Sequence, residues 1–139
     1  MKYLEQVGKY IIKMEKNDKL VETLLGFLKK KGIKFSSFNA IGAVAEAELL
    51  FYSLKDNQYH PKKFRGEFEV TCLIGNSAMH EGSPIIHAHA TIADKKFRAF
   101  GGHVAEMVTA GTLEIMLEAL PFNVERRYNE ETGLKLLDV

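Results

Sequence analysis

Beyond Gly32 the chain repeats its polarity at every second residue, a period that suits strands and not helices. In "GEFEVTCLI", Phe68, Val70, Cys72 and Ile74 fall on one face, with Glu67, Glu69 and Thr71 on the other. In "TLEIMLEAL", Leu113, Ile115 and Leu117 oppose Glu114, Met116 and Glu118. "AEAELLFYSL", "IIHAHATIA" and "NVERRY" are similar short runs set apart by Gly, Asn, Asp or Pro, the pattern of antiparallel strands joined by turns. "GTLEIMLEALP" also scores as a short amphipathic helix, but its β-branched flank and leading glycine favour a strand.

The segment before Gly32 has a different period. "VGKYIIKME" is rich in β-formers, and "NDKLVETLLGFLKKKG" carries Leu20, Val21, Leu24, Phe27 and Leu28 at helical spacing. Asn17 or Asp18 is expected to accept hydrogen bonds from the first free amides of this helix. The lysines at 29 to 31 suit the negative end of its dipole, and Gly32 permits a left-handed stop. With no internal repeat or linker, the expectation is an α+β fold: a mainly antiparallel sheet with one principal N-terminal helix, forming a single domain over residues 1–139.

With 139 residues, 46% of them hydrophobic, the chain can bury one core without disulfides. Cys72, the one cysteine, has no internal partner; its place on the apolar face reads as an inert core thiol. The start "MKYLEQVGKY" lacks the apolar centre of a signal peptide, and no run approaches the length of a membrane span, so the expected compartment is the cytoplasm. A net charge of +1 gives no overall field towards nucleic acid or an anionic membrane. Contact with DNA would need a local patch, such as Lys62, Lys63 and Arg65 or Lys95, Lys96 and Arg98, and acidic residues dilute each of these. The glycines of "NAIGAV" and "LIGNSA" lack phosphate-loop spacing, so nucleotide binding is not expected.

The chemistry concentrates in "IIHAHATIADKKFRAFGGHV". Alternation places Ile86, Ala88, Ala90 and Ile92 on one face and Ile85, His87, His89 and Thr91 on the other. Residues two apart on a strand stand roughly 6.6 Å apart, and two imidazoles can lean together to bind one ion at about 2.1 Å. A turn in "ADKKFRAFGG" can return the chain beside its own strand and deliver His103, with Gly101 and Gly102 allowing close backbone approach. The expected metal ligands are therefore His87, His89 and His103. Zinc fits three imidazoles best, and such a set leaves a position for water or ligand. The competing reading is hydrogen bonding of the same three rings within a core or subunit contact. Glu69 and Glu114, on the polar faces of their strands, are candidates for general acid–base work, although a solvated strand face accounts for both. Glu106 is a weaker candidate, and His60 and His80, in turn-rich segments, read as surface residues.

Together, "GEFEVTCLIGN", "EGSPIIHAHATIAD" and "FGGHVAEMVTAGTLEIMLE" resemble the plant-and-prokaryote-conserved domain, and the likeness runs nearly end to end. It implies an α+β fold, a homotrimer whose neighbouring sheets meet at the subunit contacts, and a DNA-binding label. In plants this domain follows an AT-hook, a short Arg-Gly-Arg-Pro segment; the chain contains none, and the plant proteins usually lack histidines matching 87, 89 and 103. The fold is also similar to that of acetolactate decarboxylase, a zinc lyase that holds its metal with an HxH pair and a further histidine. The expected function is a homotrimeric binding or regulatory module with a three-histidine metal site and duplex DNA as partner. The alternative is a metal-dependent lyase or hydrolase acting on a small oxo-acid.

Overall fold

A computed structural model describes residues 1–139. In chain order it contains β1 (Lys2–Gln6), β2 (Lys9–Glu15), α1 (Leu20–Lys31), β3 (Ser36–Ser53), β4 (Gln58–His80), β5 (Ser83–Ala93), β6 (Ala99–Ala119), β7 (Glu125–Asn129) and β8 (Leu134–Asp138). One helix and one antiparallel-dominated sheet make a single α+β domain, as the change of period at Gly32 predicts. "TLEIMLEAL" is strand, with Leu113 and Ile115 fully buried and Met116 on the outer face. No helix is long and apolar enough to cross a membrane.

Strands β3 and β5 each pair with both β4 and β6, so these four close into an antiparallel ring. The hairpin of β1 and β2 extends the ladder from the far end of β6. The β7–β8 hairpin is joined to β4 by a single parallel bridge, Met79 to Glu125. Inside the ring, Val44, Leu73, Ile92, Met107 and Ile115 are fully buried, and Leu24, Phe27 and Leu28 of α1 pack onto the same core. Fully burying such a side chain contributes about 1.5–3 kcal/mol, which makes this apolar face the main source of stability.

The sequence suggests short strands, whereas β3, β4 and β6 are long and bent. Register shifts between Ala40 and Gly42, and between Val44 and Glu46, act as bulges that turn β3 without ending it. At Gly42 (φ 145°) a Cβ would overlap the Thr112 carbonyl oxygen, so only glycine lets β3 and β6 approach this closely. A third shift, between Val70 and Cys72, corrects the expected faces of β4. The extra residue reverses the alternation, so Leu73 is fully buried while Cys72 is exposed and Ile74 is 63% exposed. Cys72 is therefore not a core thiol.

The end of α1 follows expectation. Gly32 is left-handed (φ 66°), Ile33 N–H donates to the Leu28 carbonyl at 3.0 Å, and Lys29, Lys30 and Lys31 occupy the last turn. Its start does not. Asn17 takes a left-handed turn (φ 71°), Asp18 accepts from the Glu15 amide at 2.9 Å, and Lys19 stands at the cap without a capping side chain. The cap comes instead from Glu106 on β6, whose carboxylate accepts from Val21 N–H at 2.7 Å and Glu22 N–H at 3.2 Å. A carboxylate there satisfies two free amides and faces the positive end of the helix dipole. Replacing Glu106 with alanine should lower unfolding free energy by about 1–2 kcal/mol, measured by denaturant titration.

Candidate metal centre

Asp94 shapes the turn that brings the third histidine back. Its carboxylate accepts from the amides of Lys96 at 2.8 Å and Arg98 at 3.1 Å, and from the Arg98 guanidinium at 2.6 and 2.8 Å. The Arg98 side chain is the first cause holding that carboxyl below its usual pKa. Phe97 completes the reversal in the left-handed region (φ 60°), and its amide donates to the Asp94 carbonyl. β6 then runs antiparallel to β5, with His103 directly opposite His89.

On its other side, His103 lies opposite Leu50 of β3. Gly102, between the same two strands, is packed so closely that a Cβ would stand 2.9 Å from the Leu50 carbonyl oxygen. This supports the expected close approach at Gly102; at Gly101 the nearest atom to an added Cβ, the Ala90 carbonyl oxygen, lies at 3.3 Å. The buried face of β5 carries Ala88, Ala90 and Ile92, which leaves His87 and His89 on the outer face, as the alternation predicts.

The three rings form a nearly equilateral group. Their centroids are separated by 5.2 Å for His87–His89, 5.2 Å for His87–His103 and 5.4 Å for His89–His103. One donor nitrogen from each lies within 4.8 Å of the others, and Nε2 of His87 is 3.2 Å from Nε2 of His89. Two imidazole lone pairs cannot face each other at that distance without a proton or cation between them. Ligands on a tetrahedral zinc stand roughly 3.4 Å apart, so the first pair is already at metal-site spacing.

Burial is the first cause lowering the His103 pKa, to about 4, with the nearby charges of His87, His89 and Arg126 adding to it. Burial also lowers that of His87, aided by Arg126 and His89. Rings that resist protonation keep their lone pairs available, so this donor set fits a divalent cation.

His87 and His103 also form one wall of a cavity of about 300 Å³, lined elsewhere by Ile85, Tyr59, Arg126 and Leu136. The Tyr59 ring lies 5.3 Å from that of His103. Arg126 on β7 is only 6% exposed; it donates to Asn76 Oδ1 at 2.7 Å and to the Lys135 carbonyl at 2.9 Å, and Nη2 lies 3.4 Å from His87 Nδ1. Tyr59 gives no signal in the sequence, and Arg126 reads there only as a surface cation beside Arg127. "NVERRY" reads as a strand, but no local pattern says that this strand returns to β4 or that its arginine turns inward.

The remaining candidates lie apart from the three rings. Glu114 is exposed opposite Lys13 on β2, eleven positions along the bent β6 from His103, a path of at most roughly 35 Å at strand rise. Glu69 is exposed opposite Ala93, four positions beyond His89 on β5 and roughly 13 Å away along it. Glu106 is occupied by α1. His60 is exposed and paired with Asp56 at 3.1 Å. His80 is not the surface residue expected: its side chain is 14% exposed and Nδ1–H donates to the Arg126 carbonyl at 2.9 Å, tying β7 to β4.

Because the folded His103 pKa lies below the ordinary value of 6.5, the unfolded chain binds a proton that the folded chain refuses between about 6.5 and about 4. Stability of chelator-treated protein should therefore be fullest above that window and fall as pH drops through it. Thermal melts across the window should show a shallower fall for His103→Gln than for the natural chain.

The model of the Plants and Prokaryotes Conserved (PCC) domain family matches residues 1–121. No curated protein matches. A Bacteroides thetaiotaomicron structure described as a "putative dna binding protein" is 31% identical, with a TM-score of 0.95 over 99% of this chain and 96% of that one. The metal-containing protein from Archaeoglobus fulgidus is 28% identical, with a TM-score of 0.86 over 98% of each chain. Acetolactate decarboxylase from Bacillus subtilis shares the fold at 12% identity, with a TM-score of 0.56 over 79% of this chain and 52% of that one. The matched span takes in α1, the four-strand ring and all three histidines, and the chain belongs to the Plants and Prokaryotes Conserved domain family.

Proposed function

We propose that this chain is a homotrimeric binding or regulatory module that holds a divalent cation, zinc by preference, on His87, His89 and His103. The observation that carries the reading is the convergence of three imidazole nitrogens within 4.8 Å at the wall of a cavity. The metal-containing relative from Archaeoglobus fulgidus supports it. Bound there, a zinc ion supplies Lewis acidity and an open coordination position. Zinc titration of untagged protein should give one site per chain, and His87→Ala together with His89→Ala should weaken it at least a hundredfold; stoichiometric zinc surviving both changes would rule the site out.

Self-association has its own support on the outer face. Ile11 lies opposite Met116, Met116 opposite Asn39, and Asn39 opposite Ile74, which forms a row across four strands. Ile11, Ile74 and Met116 are 50%, 63% and 44% exposed, and together with Ile41 they make an apolar stripe that water disfavours. We place the trimer contact along this stripe and duplex DNA as the macromolecular partner. Assembly would bring together three copies of exposed cations such as Lys62, Arg65, Lys95 and Lys96, with the "putative dna binding protein" as the supporting relative. Light scattering should give three times 15.7 kDa, Ile74→Glu with Met116→Glu should give one, and duplex DNA affinity should fall steeply with salt and with loss of the trimer.

A metal-dependent lyase or hydrolase acting on a small oxo-acid is the second reading, favoured by one feature: the cavity beside His87 and His103 has room for a small molecule. Within it, Tyr59 and Arg126 are the polar groups that could orient such a ligand, whereas Glu69 and Glu114 stand on other parts of the sheet.

A further inference from the structure

Arg126 is a buried cation without an anion. At 6% exposure it has no carboxylate within ion-pair distance, its two hydrogen-bond acceptors are the neutral Asn76 amide and Lys135 carbonyl, and its Nε–H is sealed from water and donates to nothing. Burial accordingly lowers its pKa. Arginines at this depth are ordinarily matched by a carboxylate or phosphate, because the desolvated charge is costly alone. The surrounding cavity sharpens the imbalance: Lys135, His87 and His103 line it beside Arg126, and no aspartate or glutamate does. Its other walls are apolar or aromatic, among them Ile85, Ile86, Leu134 and Leu136.

The neighbouring imidazole does not cancel the charge. His87 Nδ1, 3.4 Å from Nη2, is at best a long and weak acceptor. If Nε2 of the same ring binds a cation, the ring's proton sits on Nδ1 and both groups become donors. The missing partner must then come from outside the chain.

We propose that this cavity is a subsite for a small aliphatic carboxylate, with its charged end held by Arg126 and its hydrocarbon body against Ile85, Ile86, Leu134 and Leu136. The proposal names a ligand class for the histidine-lined cavity and so rests on the reading of that cavity as a ligand site, but not on a bound metal. A carboxylate matches the planar guanidinium fork, and the apolar walls favour an anion with a hydrocarbon tail over bare phosphate. Arg126, Leu134 and Leu136 lie beyond residue 121, where the family match ends.

The test is calorimetric titration of the full chain with butyrate, using butyramide and inorganic phosphate as comparison probes, on chelator-treated and on zinc-loaded protein. Saturable butyrate binding in the millimolar range or tighter is expected, with butyramide and phosphate each much weaker. Arg126→Gln should weaken butyrate roughly thirtyfold while leaving zinc stoichiometry unchanged. Butyramide binding as well as butyrate, phosphate binding better than butyrate, no saturable butyrate binding, or an unchanged affinity in the variant would each overturn the proposal. If Arg126→Gln fails to fold, the acid-against-amide comparison on the natural chain still decides. Arginine-dependent butyrate binding by a protein that takes up no zinc would remove the metal reading alone.

Discussion

The site depends on β6 changing partners at His103. Up to that residue β6 pairs with β5, and from that residue onward it pairs with β3. His103 therefore has a strand on each side, and its position is fixed by ladder hydrogen bonds that also close the ring around the core. A rotamer change can move a ring by an ångström or two, but a register slip would carry His103 to the opposite face. Buried Val104 and the tightly packed Gly102 resist that slip, so the packing of the core also sets the separation of the imidazoles.

Much of this was legible in the chain. Alternation in "PIIHAHATI" places His87 and His89 together on the outer face, and the polar cluster around Asp94 marks the turn that returns His103. These are local properties of period two and turn chemistry, and the structure bears them out. The helix stop at Gly32 was equally local and equally legible.

What could not be read was set by distant residues. The bulge at Val70–Cys72 is a single inserted residue; nothing in "EVTCLI" announces it, yet it exchanges the inner and outer faces for the rest of β4 and moves Cys72 out of the core. Glu106 looks like a spare carboxylate near the histidines until α1 is seen to start on it, 85 positions earlier in the chain. Arg126 reads as one of two surface cations on a short strand, and only the return of β7 to β4 turns it towards His87. Each failure has the same origin: the partner that decides a side chain's role lies in a different element.

The β7–β8 hairpin is attached far more lightly than the rest of the sheet. Its backbone meets the ring at one bridge, and the other ties are side-chain contacts: His80 to the Arg126 carbonyl, Arg126 to Asn76 and the Tyr52 hydroxyl to the Thr132 carbonyl. Lifting it would expose little of the core and break none of the pairings that hold the histidines in register. Segments joined so sparsely open at a small fraction of the cost of global unfolding. The molecule thus separates a floor of continuous ladders, which fixes the imidazoles, from a lightly tied cover, which carries the arginine.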